Sequence, residues 1–132
     1  MKDGGPPLRI LVVEDEAVNR ALLRAVLGSG LATGLGRIEV RETESLLAAK
    51  AALADQPPDV VILDVRLPDG NGLQLLDEIA PRGEPGRPFV IVMSASVLPA
   101  DRDAASRSGG DAFLGKPFMP ADLIALLDAT AR

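Results

Sequence analysis

The run Asp59-Val60-Val61-Ile62-Leu63 opens directly into Asp64-Val65-Arg66-Leu67-Pro68-Asp69-Gly70-Asn71-Gly72, and no other stretch constrains the fold as strongly. A short, unbroken run of β-branched and aliphatic residues suits a strand buried on both faces, as in parallel sheets. Pro, Asp, Gly, Asn and Gly within five positions then force a sharp turn. Asp64 therefore stands where a buried strand ends and a loop begins. In open α/β sheets, ligands bind at that carboxyl edge. A carboxylate there is a nucleophile or metal ligand, or else a strand-end residue capping the loop; the stretch alone leaves both open.

The same pattern recurs along the chain. Leu8–Val13 reads as a central strand ending at Glu14-Asp15. Arg37–Glu42 alternates, with Ile38 and Val40 inward, as a less buried edge strand does. Pro88–Met93 is an apolar run ending at Ser94-Ala95-Ser96, and Ala112–Gly115 is a short strand ending at Lys116-Pro117. Helices fall between them. Ala17–Leu27 carries Val18, Leu22 and Val26, with Leu23 and Leu27 beside them, as its core face. Thr43 is the expected N-cap of a helix running to about Ala54, stopped by Gln56-Pro57-Pro58. Gly72–Ala80 is a short helix. Pro99–Ser108 has only alanines as apolar residues past Leu98, so it is expected to be weakly anchored. Pro120–Ala131 closes the chain with Leu123, Ile124 and Leu127 inward. Met1–Pro7 reads as a flexible lead, and Gly28–Gly36 as a glycine-rich loop of unassigned role. Asp69 and Asn71 read as turn formers and Asn19 as a solvated surface residue.

Five strands alternating with five helices imply an α/β fold: a five-stranded parallel sheet, order 2-1-3-4-5, with helices on both faces. The domain is expected over residues 8–132, after the 1–7 lead. A length of 132 residues fits one domain with a genuine core. With no Cys and no His, thiolate chemistry is excluded and the commonest general base is missing. Carboxylates, hydroxyls and amines must do any chemistry. A balance of 14 basic against 19 acidic residues, net −5, argues against nucleic acid as partner. No apolar run is long enough to span a bilayer, and the expectation is a soluble cytoplasmic module.

If the strands are parallel, Glu14, Asp15, Asp64, Ser94 and Lys116 all reach one edge of the sheet. Crowded carboxylates repel, and a divalent cation relieves that repulsion. Mg²⁺ needs only one or two acids besides retained waters and a phosphoryl oxygen. A carboxylate can attack phosphorus to form an aspartyl phosphate, with the cation and an ammonium neutralising the developing charge.

Glu14-Asp15, Asp64, Ser94 and Lys116-Pro117, in that order at successive strand ends, resemble the receiver domain of two-component response regulators. Pro68 and Gly72 after Asp64 fit the phosphoacceptor loop of that family, and Phe113 falls where an aromatic is usual. The resemblance covers residues 8 to about 130 and implies the flavodoxin-like, three-layer receiver fold. It implies Asp64 as phosphoacceptor, with Mg²⁺ (or Mn²⁺) held by Glu14, Asp15, Asp64 and the Arg66 backbone carbonyl. Ser94 and Lys116 would stabilise the phosphoryl group, Ser94 and Phe113 would form the switch, and the bond before Pro117 would be cis. Two departures stand out: the first acid is Glu rather than the commoner Asp, and Phe113 lacks a hydroxyl. Arg66 and Ser96 occupy positions that tune phosphoryl lifetime in relatives.

The expected function is thus a bacterial phospho-accepting signalling domain that catalyses only its own phosphorylation and dephosphorylation. Its donor would be a histidine kinase or histidine phosphotransfer protein. With no output domain expected, it would act through a target protein, onward relay or a phosphorylation-dependent homodimer. Three other readings remain open: a phosphorylation-independent docking scaffold, a receiver excised from a hybrid kinase, and an aspartyl-nucleophile phosphatase. The last usually has a second acid two residues after the nucleophile, where this chain has Arg66.

Overall fold

The computed structural model describes residues 6–28, 36–81, 83–96 and 98–130. The chain runs through β1 (Leu8–Val13), α1 (Ala17–Leu27), β2 (Ile38–Thr43), α2 (Leu46–Asp55) and β3 (Val60–Asp64). A two-residue ladder follows, β4 (Arg66–Leu67) against β5 (Gly70–Asn71), and leads into a 3-10 helix over Gly72–Glu78. Then come β6 (Phe89–Ser94), α3 (Pro99–Arg107), β7 (Ala112–Gly115) and α4 (Pro120–Thr130). The main sheet is all parallel, in the order β2-β1-β3-β6-β7. Setting aside the small ladder, that is the expected 2-1-3-4-5 order.

Side chains alternate across the sheet, so the central strands β1, β3 and β6 each feed two cores. Ile10, Val12, Ile62, Ile91 and Met93 pack with Leu23, Val26 and Leu27 of α1 and Leu123 and Leu127 of α4. Leu11, Val13, Val61, Leu63, Val90 and Val92 pack on the other face with Leu46, Ala49 and Ala52 of α2, Leu75 and Leu76 of the 3-10 helix, and Ala105 of α3. Every residue of β3 is buried, as a central strand covered on both sides requires. α3 contributes Ala105 alone to the core, the weak anchorage its composition foretold. Among the described residues no helix is long and apolar enough to cross a membrane.

Three local expectations are corrected. Val18 and Leu22 do not face the core: they are 72% and 48% exposed, and α1 packs through Leu23, Val26 and Leu27. The apolar stripe of α1 is wider than the surface the sheet can cover, and periodicity does not say which edge is buried. Thr43 is not the cap of α2 but the last residue of β2, its hydroxyl donating to the Val12 carbonyl at 2.9 Å. Ser45 caps instead, accepting from the Ala48 N–H at 3.1 Å. The helix after the loop is 3-10 and ends at Glu78 rather than Ala80. Most of the expected lead (residues 1–5), most of the Gly28–Gly36 loop (29–35) and Ala131 lie outside the described residues.

Asp69 does more than form a turn. Its two carboxylate oxygens accept the Leu46 and Leu47 N–H groups, at 2.8 and 2.9 Å. The loop after β3 is thereby tied to the first turn of α2, where N–H groups lack intrahelical partners. The two bonds hold the Asp69 carboxyl below its usual pKa. A depressed folded-state pKa contributes stability above the unfolded value that is lost as falling pH protonates the group. Asp69→Ala is therefore expected to lower the melting temperature at neutral pH. It should also flatten the decline in melting temperature below about pH 4, the carboxylate range, in scans across acid pH.

Candidate functional site

The parallel register delivers the strand ends to one edge, with Asp64 beside Met93 and Ser94 beside Gly115. Lys116 and the Glu14-Asp15 pair lie one or two residues past the ends of β7 and β1. One carboxylate oxygen each from Glu14, Asp15 and Asp64 lie within 4.8 Å of one another. Lys116 Nζ donates to Asp64 Oδ2 at 2.9 Å and pairs with Glu14 Oε1 at 2.7 Å. Asp15, Glu16, Asp64, Arg66, Ser94, Ala95, Ser96 and Lys116 line a cleft of about 480 Å³ over this cluster.

The three acids are not equivalent. Glu14 is wholly buried, with Oε2 accepting the Glu16 N–H at 3.0 Å and Oε1 against the lysine. Burial pushes its carboxyl pKa up, and the lysine only partly offsets that. Asp15 is exposed and lines the cleft. Asp64 is 5% exposed; its Oδ1 accepts the Arg66 N–H at 3.3 Å and its Oδ2 the lysine. Burial would by itself lower the Lys116 pKa, yet its bonds to Glu14 and Asp64 raise it above the ordinary value.

The Glu14, Asp15 and Asp64 carboxylates together with the one ammonium carry a local charge of −2 when ionised, and Glu16, 3.9 Å from the ammonium, adds to the negative side. Hard oxygen donors bearing that charge fit Mg²⁺ or Mn²⁺. Asp15 and Asp64 open directly onto the cleft, and Glu14 stands behind them.

The loop after β3 is held close to Asp64. Gly72 donates to the Val65 carbonyl at 2.6 Å, and a Cβ at Gly72 would fall 2.0 Å from the Asp64 carbonyl oxygen. Only glycine lets the loop fold back this tightly. Ser94 is half-buried in the cleft wall, its Oγ accepting the Ser96 N–H at 3.1 Å. Phe113 lies apart from the cleft lining, packed against the core that includes Ala105, with the Arg102 guanidinium 4.8 Å above its ring. The Lys116–Pro117 peptide bond is cis. Asn19 stays on the surface and donates to Glu16 at 3.1 Å. Sequence reasoning missed Glu16 as a cleft residue; its position directly after the acid pair was the available signal.

A doubly wound sheet with an acidic cleft and a lysine at its carboxyl edge defines a class: small α/β modules that bind ligands at a topological switch point. The family model of the response regulator receiver domain matches residues 10–128, and the chain belongs to that family. It is 37% identical over 124 residues to the KDP operon transcriptional regulatory protein KdpE of Escherichia coli, covering 93% of this chain and 51% of that protein. It is 33% identical over 119 residues to the sensory/regulatory protein RpfC of Xanthomonas campestris, covering 89% of this chain and 16% of that one. The chain thus spans about half the length of the first curated relatives it matches. Among solved structures, the receiver domain of the sensor histidine kinase PA1611 from Pseudomonas aeruginosa superposes with a TM-score of 0.78 at 28% identity. That match covers 96% of this chain and 98% of the other, which holds a magnesium ion in its active site cleft.

Lys116→Ala would leave Glu14 buried beside Asp64 without its cation. Breaking a buried pair in this way costs about 3 kcal/mol at neutral pH. The raised pKa of Glu14 sets the sign of the pH dependence. Protonation neutralises the stranded carboxyl, so the deficit relative to wild type should shrink as pH falls toward 5 (roughly the upper carboxylate range). Denaturant titrations of both proteins at several pH values measure it.

Proposed function

We propose that this receiver domain accepts a phosphoryl group on Asp64 from a phosphohistidine of a histidine kinase or histidine phosphotransfer protein. The observation that supports this most is the Asp64 carboxylate held 2.9 Å from Lys116 Nζ, with Asp15 and Glu14 alongside. A carboxylate oxygen of Asp64 attacks phosphorus through a lone pair, and the P–N bond to the donor imidazole breaks. The bonding pair stays on the departing imidazole nitrogen. Lys116 neutralises charge on the transferred oxygens. A bound Mg²⁺ or Mn²⁺, held by Asp15, Asp64 and Glu14 with the Arg66 carbonyl, would supply further positive charge. Water later hydrolyses the acyl phosphate and ends the signal, so the domain catalyses only its own phosphorylation and dephosphorylation.

Phosphorylation gives Lys116 and the Ser94 hydroxyl a new partner, drawing Ser94 inward. Phe113 then repacks with α3, which is fastened to the core by little more than Ala105. The altered surface of α3 and β7 carries the output through protein contact, either as a monomer or as a phosphorylation-dependent dimer. The donor docks over α1, whose exposed Val18 and Leu22 begin just past Glu16 at the cleft rim.

Incubation with radiolabelled acetyl phosphate and Mg²⁺ should label the wild type and leave Asp64→Asn unlabelled; persistent label in Asp64→Asn would remove the assignment. Leu22→Asp should slow transfer from a phosphorylated donor protein at least about tenfold, the equivalent of ~1.4 kcal/mol of lost contact. Its labelling by acetyl phosphate should match wild type, because the small donor needs no docking surface.

A further inference from the structure

The Glu14-Asp15 pair sits just beyond the end of β1, where the ladder to β2 has run out: its last bond is Glu14 N–H to the Thr43 carbonyl, at 3.0 Å. A short connection carrying two adjacent carboxylates needs another restraint if those carboxylates are to keep fixed positions. Arg20, one turn into α1, supplies it. Its Nη1 donates to the carbonyls of both residues, at 3.0 Å to Glu14 and 2.9 Å to Asp15. The guanidinium is itself held by acids of the β2 end, with Nε 3.7 Å from Glu42 and Nη2 3.4 Å from Glu44, and the side chain is only 14% exposed. One planar group thus fixes the peptide units on either side of the Asp15 α-carbon.

We infer that Arg20 is a positioning residue for the divalent-cation site. It holds the carbonyls of Glu14 and Asp15 toward α1, so that one side chain turns in to Lys116 and the other faces the cleft. This rests on the reading that the acid pair holds a divalent cation.

Charge and position act in opposite directions here, which makes the inference testable. A guanidinium near the acids repels a cation, so removing its charge would by Coulomb's law tighten cation binding. Losing the two carbonyl bonds would loosen it, because groups that orient metal ligands typically cost 10- to 100-fold in affinity when removed.

Mn²⁺ binding to the full chain, followed by loss of the free-ion EPR signal, reads the balance directly and needs no phosphoryl donor. Arg20→Gln is expected to weaken Mn²⁺ binding by about tenfold. Arg20→Lys keeps the charge but cannot reproduce the planar fork, and should weaken it as well. Glu39→Gln removes one negative charge from the opposite end of β2, where it pairs with Arg9 rather than Arg20, and should bind as wild type does. Unchanged or tighter binding in folded Arg20→Gln overturns the inference; should that variant not fold, the same result in Arg20→Lys does so. If the wild type binds no Mn²⁺, the cation-site reading fails instead, and the two failures are distinguishable.

Discussion

One ammonium shared between two carboxylates organises the carboxyl edge of the sheet. Lys116 approaches Glu14 at 2.7 Å and Asp64 at 2.9 Å, reaching from the loop after β7 to residues at the ends of β1 and β3. Three segments far apart in sequence are joined through it. Each of these groups alone would be costly to bury charged; together they are tolerated, because opposite charges compensate one another. Asp15 and a cleft-facing edge of Asp64 remain outside that compensation. The result is a site with surplus negative charge and an open face, the condition under which a divalent cation can be held.

The rest of the fold keeps those groups in register. β3, buried throughout between two cores, aims Asp64 at the cleft with little freedom. Gly72 packs the following loop onto the Asp64 carbonyl, and Asp69 anchors the same loop to α2. Arg20 does the corresponding work for the loop after β1. Rigid placement on this side contrasts with α3, an alanine-bearing helix with one buried side chain. A site that must be exact adjoins an element that is loosely held, and local stability follows the number of buried apolar contacts.

Much of this could be read in advance. Uninterrupted aliphatic runs identified β1, β3 and β6, since strands covered on both faces can take little else. The alternation of Ile38 and Val40 with Glu39 and Arg41 marked β2 as the edge. Polar residues at the ends of such runs, ordered acid, acid, hydroxyl, lysine, identified the site because parallel topology leaves them only one edge to share. The misreadings share a cause as well. Thr43 and Ser45 are both competent caps, and the choice between them was made by the length of the β1–β2 ladder.

What the sequence determined unaided was therefore the periodic part: strand and helix types, their alternation, and which chemistry-bearing residues end the strands. The tertiary structure decided which edge of the wide apolar stripe on α1 is covered, that Glu14 lies behind Asp15, and that Asp69 and Arg20 brace the two loops of the site. Periodicity records how often a side chain meets a surface, whereas these outcomes depend on which surface arrives from elsewhere in the chain. Asp69 acts on a helix that starts 23 residues before it, and Lys116 on an acid 52 residues before it. No local pattern carries that information.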